Sequence, residues 1–378
     1  MGKMRTSFQQ KLLLLSAIGI LYSCIPFESS ASQNRKKKSY SIFKRNQDDS
    51  ISKTGNIFIS AVGDIMMGTN FPNAGYLPPQ GVDLLLPMRS FLSYGDICFG
   101  NLEGTILNVG GIVKKCDDST KCYAFRQPEY TFDYIKRAGF NLLSVANNHI
   151  GDFGETGRAN TLQVLKKNGV KFAGLERCPW DTLTIKGKIV GFIAFAPNTE
   201  CLPIENLSFV KESVEELDKI ADIIVVSFHG GAEGSKHTHV TRQTEIFYDE
   251  DRGNVYEFAR TAIDAGADVV LGHGPHVTRA IDLYKGKFIA YSMGNFCTYA
   301  RFNLKGSNGF APLFQLEIDR EGNLVQGKVI STKQIGEGGP ILDAEHNAWE
   351  EIKTLTLQDI PEAELVFKSG GIFYPKKN

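Results

Sequence analysis

The chain reads as an α/β fold. Two patterns predict this. Short apolar runs recur along the sequence, and many end in a polar group: Gly63-Asp64, Gly100-Asn101, Asn147-Asn148-His149, His229-Gly230, Gly272-His273 and Gly294-Asn295. Between several of these runs lie amphipathic segments with apolar residues three or four apart, the period of a helix packed on a sheet. Strand ends that open into polar loops are where α/β folds hold their chemistry.

The elements follow in order. Asn56 to Val62 is the first strand, and Gly63 is expected to let the backbone turn and present Asp64, either as a functional carboxylate or as a turn cap. Residues 69–95, with four prolines, form an irregular segment over the rim of the site. Asp96 to Phe99 is the second strand and delivers Asn101 and Glu103. In the loop that follows, Arg126 is either a fork for an anionic substrate group or a surface salt-bridge partner, and Lys114 and Lys115 could meet an anionic chain. Glu129 to Ala138 is a helix, with Phe132, Ile135 and Ala138 on one face and Gly139 as its stop. Leu142 to Ala146 is a strand running into Asn147-Asn148-His149, and the next helix spans Gly154 to Lys167. After a short strand at Val170–Ala173, residues 181–187 and 188–196 form a strand pair turned at Gly187.

Val214 to Ile220 reads as a short helix with a Ser213/Glu216 capping box. Ala221 to Phe228 is apolar throughout, as a strand covered on both faces should be, and ends at His229, with Glu233 close behind. A helix over Val255–Ala265 leads to the buried strand Ala267–Leu271, then His273 and His276. Strands at 277–283 and 287–292 precede Asn295, and 312–318 and 324–330 complete the series. Beyond Lys333 the pattern is weak and predicts loop plus short elements. The chain therefore divides into 1–24, 25–53, a main domain at 54–333, and an extension at 334–378 packed on that domain.

Charge and cysteines narrow the setting. Residues 1–53 carry ten Lys/Arg and three Asp/Glu; taking these from 42 of each leaves 32 basic and 39 acidic in the remainder, a net of −7. An acidic body argues against nucleic acid as a partner. Residues 1–24 have a basic start and an apolar run too short to span a bilayer comfortably. The run ends at Leu21-Tyr22-Ser23-Cys24, similar to a bacterial lipobox with Cys24 lipidated; ordinary cleaved secretion and an uncleaved anchor are the alternatives. Export, and a membrane-anchored place in the cell envelope, is the expected localisation. Residues 25–53 read as a disordered tether whose basic run at 35–38 is a solvated linker or a patch for anionic lipid. Export permits disulfides, and Cys116–Cys122 and Cys178–Cys201 are the candidate pairs.

The strand ends together supply Asp64, Asn101, Glu103, Asn148, His149, His229, His273 and His276. Oxygen ligands mixed with imidazoles suit Mn²⁺, Fe or Zn²⁺, one ion or two. The stretches AVGDIMMG (61–68), GNLEGT (100–105), FRQP (125–128), VANNHIGDFGETG (145–157), SFHGGAE (227–233), GADVVLGHGPHV (266–277) and YSMGNF (291–296) carry a resemblance. The chain resembles the bacterial capsule-synthesis protein CapA family, the poly-γ-glutamate capsule proteins. That family is similar to the calcineurin-like metallophosphoesterases.

The resemblance implies a four-layer αββα sandwich of two mixed β-sheets with a metal site at one edge. It implies Asp64, Asn148, His229, His273 and His276 as metal ligands, with Asn101 or Glu103 standing in for a bridging Asp. His149 is implied as the general acid, with Asp152 orienting it. Arg126, Glu233 and Asn295 are the candidate substrate-binding residues. The wider phosphoesterase pattern has a His two residues after its first Asp, where this chain has Met66, and the last two histidines are three apart instead of two. The implied activity is a cell-envelope metal-dependent hydrolase or transferase acting on capsule polymer or a phosphoester, with membrane capsule-synthase proteins as candidate partners. The alternative is a non-catalytic assembly factor with a weakened metal site.

Overall fold

A computed structural model of the protein describes residues 55–115 and 123–377. The leader and tether (1–53), with Cys24, and the loop cysteines Cys116 and Cys122 lie outside the described residues. In chain order the strands are β1 (Ile57–Met66), β2 (Ile97–Leu102), β3 (Leu142–Ser144), β4 (Lys171–Ala173), β5 (Trp180–Ile185), β6 (Lys188–Phe195), β7 (Ile223–His229) and β8 (Val269–His273). They continue as β9 (Ile281–Tyr284), β10 (Lys287–Ala290), β11 (Asn295–Thr298), β12 (Phe310–Ile318), β13 (Leu324–Gln334), β14 (Pro340–Leu342), β15 (Leu365–Lys368) and β16 (Ile372–Pro375). The longer helices are α1 (Glu129–Ala138), α2 (Gly154–Lys167), α3 (Leu207–Asp218), α4 (Val255–Asp264) and α5 (Asn347–Asp359).

Ten strands form one mixed sheet in the order β15-β16-β13-β12-β1-β2-β3-β4, with β11 beside the end of β1 and β14 beside β13. Six form a second mixed sheet, β9-β10-β8-β7-β6-β5. Side-chain parity shows how they stack. On β6, Val190, Phe192 and Ala194 join the core that contains Ile59 and Phe99, while Ile193 and Phe195 pack with Val214 and Phe258 of α3 and α4. Strands β7, β8 and β10 alternate in the same way, so both faces of the six-stranded sheet are covered. Phe99 meets Phe192, and Phe288 meets Phe314, across the gap between the sheets at centroid distances of 5.6 and 5.4 Å. The architecture is the expected sandwich of two mixed sheets with helices outside.

Four local differences from the sequence reading have physical causes. First, β1 does not end at Val62 but runs through Gly63-Asp64 to Met66, with register shifts on both sides of Asp64. Gly63 is needed for close approach rather than for a turn, because a Cβ there would lie 1.9 Å from the Gly294 carbonyl oxygen. Second, α3 starts at Leu207, not Val214. Its cap is Asn206, whose side chain accepts from Phe209 N–H at 3.1 Å, and Val210 extends the face of Val214 and Leu217. Third, the chain beyond Lys333 holds a thirteen-residue helix, α5, and a hairpin that adds to the large sheet at Gly327–Lys328. Fourth, Cys178 and Cys201 are free thiols: each forms a backbone bridge with Leu175, which stands between them.

Candidate metal centre

The parallel strands β1, β2, β3, β7 and β8 point their C-terminal ends to one edge of the sandwich, and the chemistry gathers there. Asp64 is paired in register with Asn101 on one side and Asn295 on the other. Its Oδ1 accepts from Asn101 Nδ2 at 2.9 Å, and the same amide donates to Glu103 Oε2 at 2.6 Å. Asn101 Oδ1 in turn accepts from Asn147 Nδ2 at 3.0 Å. Asn101 is therefore a joint that sets the spacing of two buried carboxylates, with its amide turned toward them. Asn147 closes the loop: its Oδ1 accepts from His149 N–H at 3.1 Å.

The second sheet contributes imidazoles. One atom each of Asp64, Glu103 and His229 fall within 4.8 Å of one another, and all three residues are fully buried. His229 Nδ1 is 3.8 Å from Glu103 Oε2, and His273 Nδ1 is 3.4 Å from Asp64 Oδ1, too poorly aligned for a hydrogen bond. His276, in a left-handed conformation (φ 56°), places Nδ1 at 2.8 Å from Asp64 Oδ2 and Nε2 at 3.8 Å from Glu103 Oε1.

Both ring nitrogens of His229, both of His273, Glu103 Oε1 and Asn148 Oδ1 are buried with no hydrogen-bond partner. Buried polar atoms are normally satisfied, and orphans converging from two sheets fit a bound cation. The electrostatics agree. Burial drives the Glu103 carboxyl well above its usual range, with the Asp64 charge adding to it. Burial opposes ionisation of Asp64 too, but His273 and His276 hold it well below the carboxylate range. His276 loses by burial and gains more from Asp64 and Glu103, reaching about 10. Burial and the Arg252 charge hold His229 well below its usual value, which keeps it in the neutral form that ligates a metal.

Beside this group sits His149. Its Nδ1 is 2.8 Å from Asp152 Oδ2, while Nε2 faces Glu103 Oε1 at 3.9 Å. Asp152 Oδ2 also accepts from Phe125 N–H at 2.6 Å, and Oδ1 pairs with Lys114 at 2.5 Å. With Asp152 Oδ2 accepting from the ring, Nδ1 carries its proton and Nε2 is free toward the centre. Phe125 covers the ring at a centroid distance of 4.2 Å. Burial lowers the His149 pKa, with Asp152 opposing and Lys114 reinforcing the fall.

The centre opens into a cleft of about 920 Å³ whose lining includes Asn148, His149, Glu233, Arg252, His276 and Asn295. Glu233 points its carboxylate at Arg252, 3.2 Å away. Asn295 uses its amide nitrogen on the His276 and Asn308 carbonyls, leaving a buried Oδ1 free. Arg126 is not in the cleft. Its Nε donates to Asn70 Oδ1 at 2.7 Å and Nη1 to the Gly110 carbonyl at 2.9 Å, and the guanidinium lies 4.9 Å from the Phe153 ring centroid. It binds the loops together and has no fork left for substrate. Lys114 is paired with Asp152, and both Lys114 and Lys115 line the cleft. Sequence reasoning missed Arg252, which is 2 % exposed and lies among the strand-end residues. No local motif marks it, because its neighbours in space come from β7 and the loops beyond.

Residues 58–300 match the model of a family described as bacterial capsule synthesis protein PGA_cap. The chain belongs to this family. Capsule biosynthesis protein CapA of Bacillus anthracis is 29% identical over 259 residues, covering 63% of this chain and 59% of that protein. PGA biosynthesis protein CapA of Bacillus subtilis (strain 168) is 28% identical over 258 residues, covering 63% of this chain and 62% of its own length. The chain thus matches about three fifths of the length of each relative. Among solved structures, a putative 5'-nucleotidase from Staphylococcus aureus aligns over 80% of this chain and 58% of its own, at 16% identity and a TM-score of 0.44. Its buried carboxylate–imidazole group is suited to a divalent cation.

Proposed function

We propose that this protein is an exported metal-dependent hydrolase or transferase of the cell envelope. It acts on capsule polymer, poly-γ-glutamate or similar, or on a phosphoester, and Cys24 carries a lipid that holds it at the membrane beside capsule-synthase proteins. One observation carries the reading: His229 and His273 bring four unpartnered ring nitrogens to two carboxylates. Asp64, Glu103, Asn148, His229 and His273 are the residues that would hold Mn²⁺, Fe or Zn²⁺, and His276 would join them on losing its proton. Bound there, the ion would supply Lewis acidity and a water of lowered pKa. His149 Nε2 takes up a proton and returns it to the leaving group, with Asp152 fixing the ring. The Arg252 guanidinium, braced by Glu233 and Glu250, places positive charge beside the centre. The cleft of about 920 Å³ beyond the centre is where the polymer would lie.

A non-catalytic assembly factor is the second reading. Met66 favours it: a buried thioether, whose Sδ accepts from Gly68 N–H at 3.2 Å, stands where the family's wider pattern has a ligand His.

Elemental analysis of the purified protein beside His229→Ala and Asp64→Ala separates the two. Roughly one or two ions per chain, lost in both variants and accompanied by turnover of a phosphodiester or a γ-glutamyl oligomer, is the expected result. Metal-free wild type after supplementation would overturn the enzyme reading. Cys24→Ala should release the protein from membranes, and continued attachment would rule out the lipid anchor.

A further inference from the structure

The geometry points to Arg301 as the residue that reads a carboxylate on the substrate, away from the reacting bond. This rests on the reading above that the cleft takes an anionic envelope polymer. Arg301 follows β11 in a segment held by Ala300, which is left-handed (φ 64°) and donates its N–H to the Glu337 carbonyl at 2.7 Å. The next residue, Phe302, stacks on Phe125 at 5.2 Å and meets His276 edge-on at 5.4 Å. Arg301 is thus one residue from a ring that touches the metal centre, and it lines the same cleft.

Its guanidinium is flanked by two rings, Tyr76 at 4.7 Å and Tyr123 at 4.8 Å from its central carbon. Those rings come from separate segments of the chain, and each presents its face to the guanidinium. The Nε is buried with no hydrogen-bond partner, and no acidic side chain pairs with Arg301 among the described residues. The contrast with its neighbours is direct. Lys114 is paired with Asp152, and Arg252, though its Nε and Nη2 are unpartnered, commits Nη1 to both Glu233 and Glu250, whereas Arg301 has no acidic partner among the described residues. A planar fork held by aromatic faces, with its N–H edge uncommitted, matches a planar carboxylate through two parallel hydrogen bonds. Carboxylate is favoured over phosphate because Glu233 and Glu250 already line the cleft, and a singly charged planar group meets less of their repulsion than a phosphate does.

The test is a binding titration of the full-length protein, which needs no turnover. The probes are a γ-linked glutamate trimer, the same trimer with its free carboxylates amidated, and a glycerol-phosphate trimer. Wild type should bind the acidic trimer at least tenfold tighter than the amide. Arg301→Gln should reduce that ratio to about one, and Arg301→Lys, which keeps the charge and loses the fork, should fall between them. Thermal unfolding and metal content of each variant separate this from a structural role, in which stability falls and the ratio stays. Three results would overturn the inference: an unchanged ratio in Arg301→Gln, no preference for the acidic trimer in wild type, or an equal loss of glycerol-phosphate binding. Absence of hydrolysis with the ratio intact would instead count against the enzyme reading alone.

Discussion

The carboxylates of the centre come from the ten-stranded sheet and the ring nitrogens from the six-stranded one, and the two halves are held differently. On the carboxylate side both acids are tied through one oxygen: Asn101 donates to Asp64 Oδ1 and Glu103 Oε2, and Asn147 holds Asn101 and the His149 backbone, while Glu103 Oε1 stays open. On the imidazole side, the ring nitrogens of His229 and His273 make no hydrogen bond, and His273 only approaches Asp64, at 3.4 Å. A hydrogen-bonded frame can hold two carboxyl groups close without a cation, one of them kept neutral by burial, whereas unbonded buried imidazoles gain partners only when a cation arrives.

The largest break in this comparison is His229→Ala. It removes a nitrogen that no neighbour can replace, and bound metal should fall by more than the roughly 10–100-fold that supporting groups carry, as read by competition with a chelator. Asn101→Leu comes next. It keeps the volume and removes the shared donor, so metal affinity should drop roughly 10–100-fold although no ligand is touched. An affinity equal to wild type would show that the carboxylates need no frame. Asp152→Asn should leave metal content alone and lower kcat about 10–100-fold, less than the roughly 10²–10⁴-fold a whole acid–base group supplies. Rate and metal falling together would place Asp152 in the metal frame instead. The smallest effect is expected for Arg126→Leu. Unfolding should ease by about 1–3 kcal/mol through the lost hydrogen bonds and ring contacts, with KM for an anionic substrate unchanged.

How much of this could be read in the sequence differs between the two halves in the same way. Strands β7 and β8 are buried on both faces, so they appear as apolar runs, and the histidines at their ends stand out against them. The ring nitrogens need no other residue to identify them. The carboxylate side was legible as residue types but not as roles. Asn101 offers the same amide whether it ligates or braces, and only its pairing with Asp64 and Asn147 decides. Arg126 and Arg301 show the same limit, since one is saturated by loop carbonyls and rings and the other is not. Helix α5 was missed although Trp349, Ile352 and Leu355 keep helical spacing, because its cap lies outside the usual position. Asp343, four residues before Asn347, accepts from its N–H at 2.7 Å.

The placement of β1 bears on how the molecule is made. This strand carries Asp64 and lies between β2 and β12, pairing Ile57 with Ile318. The contact from Asn56 to Glu317 closes over 261 residues. An early segment at the centre of the sheet cannot complete both edges until nearly the whole chain is present, and such long-range pairings are slow to form. Held open in this way, the segment that carries Asp64 would stay without its β12 partner, and the strand-end cleft would be among the last features to assemble.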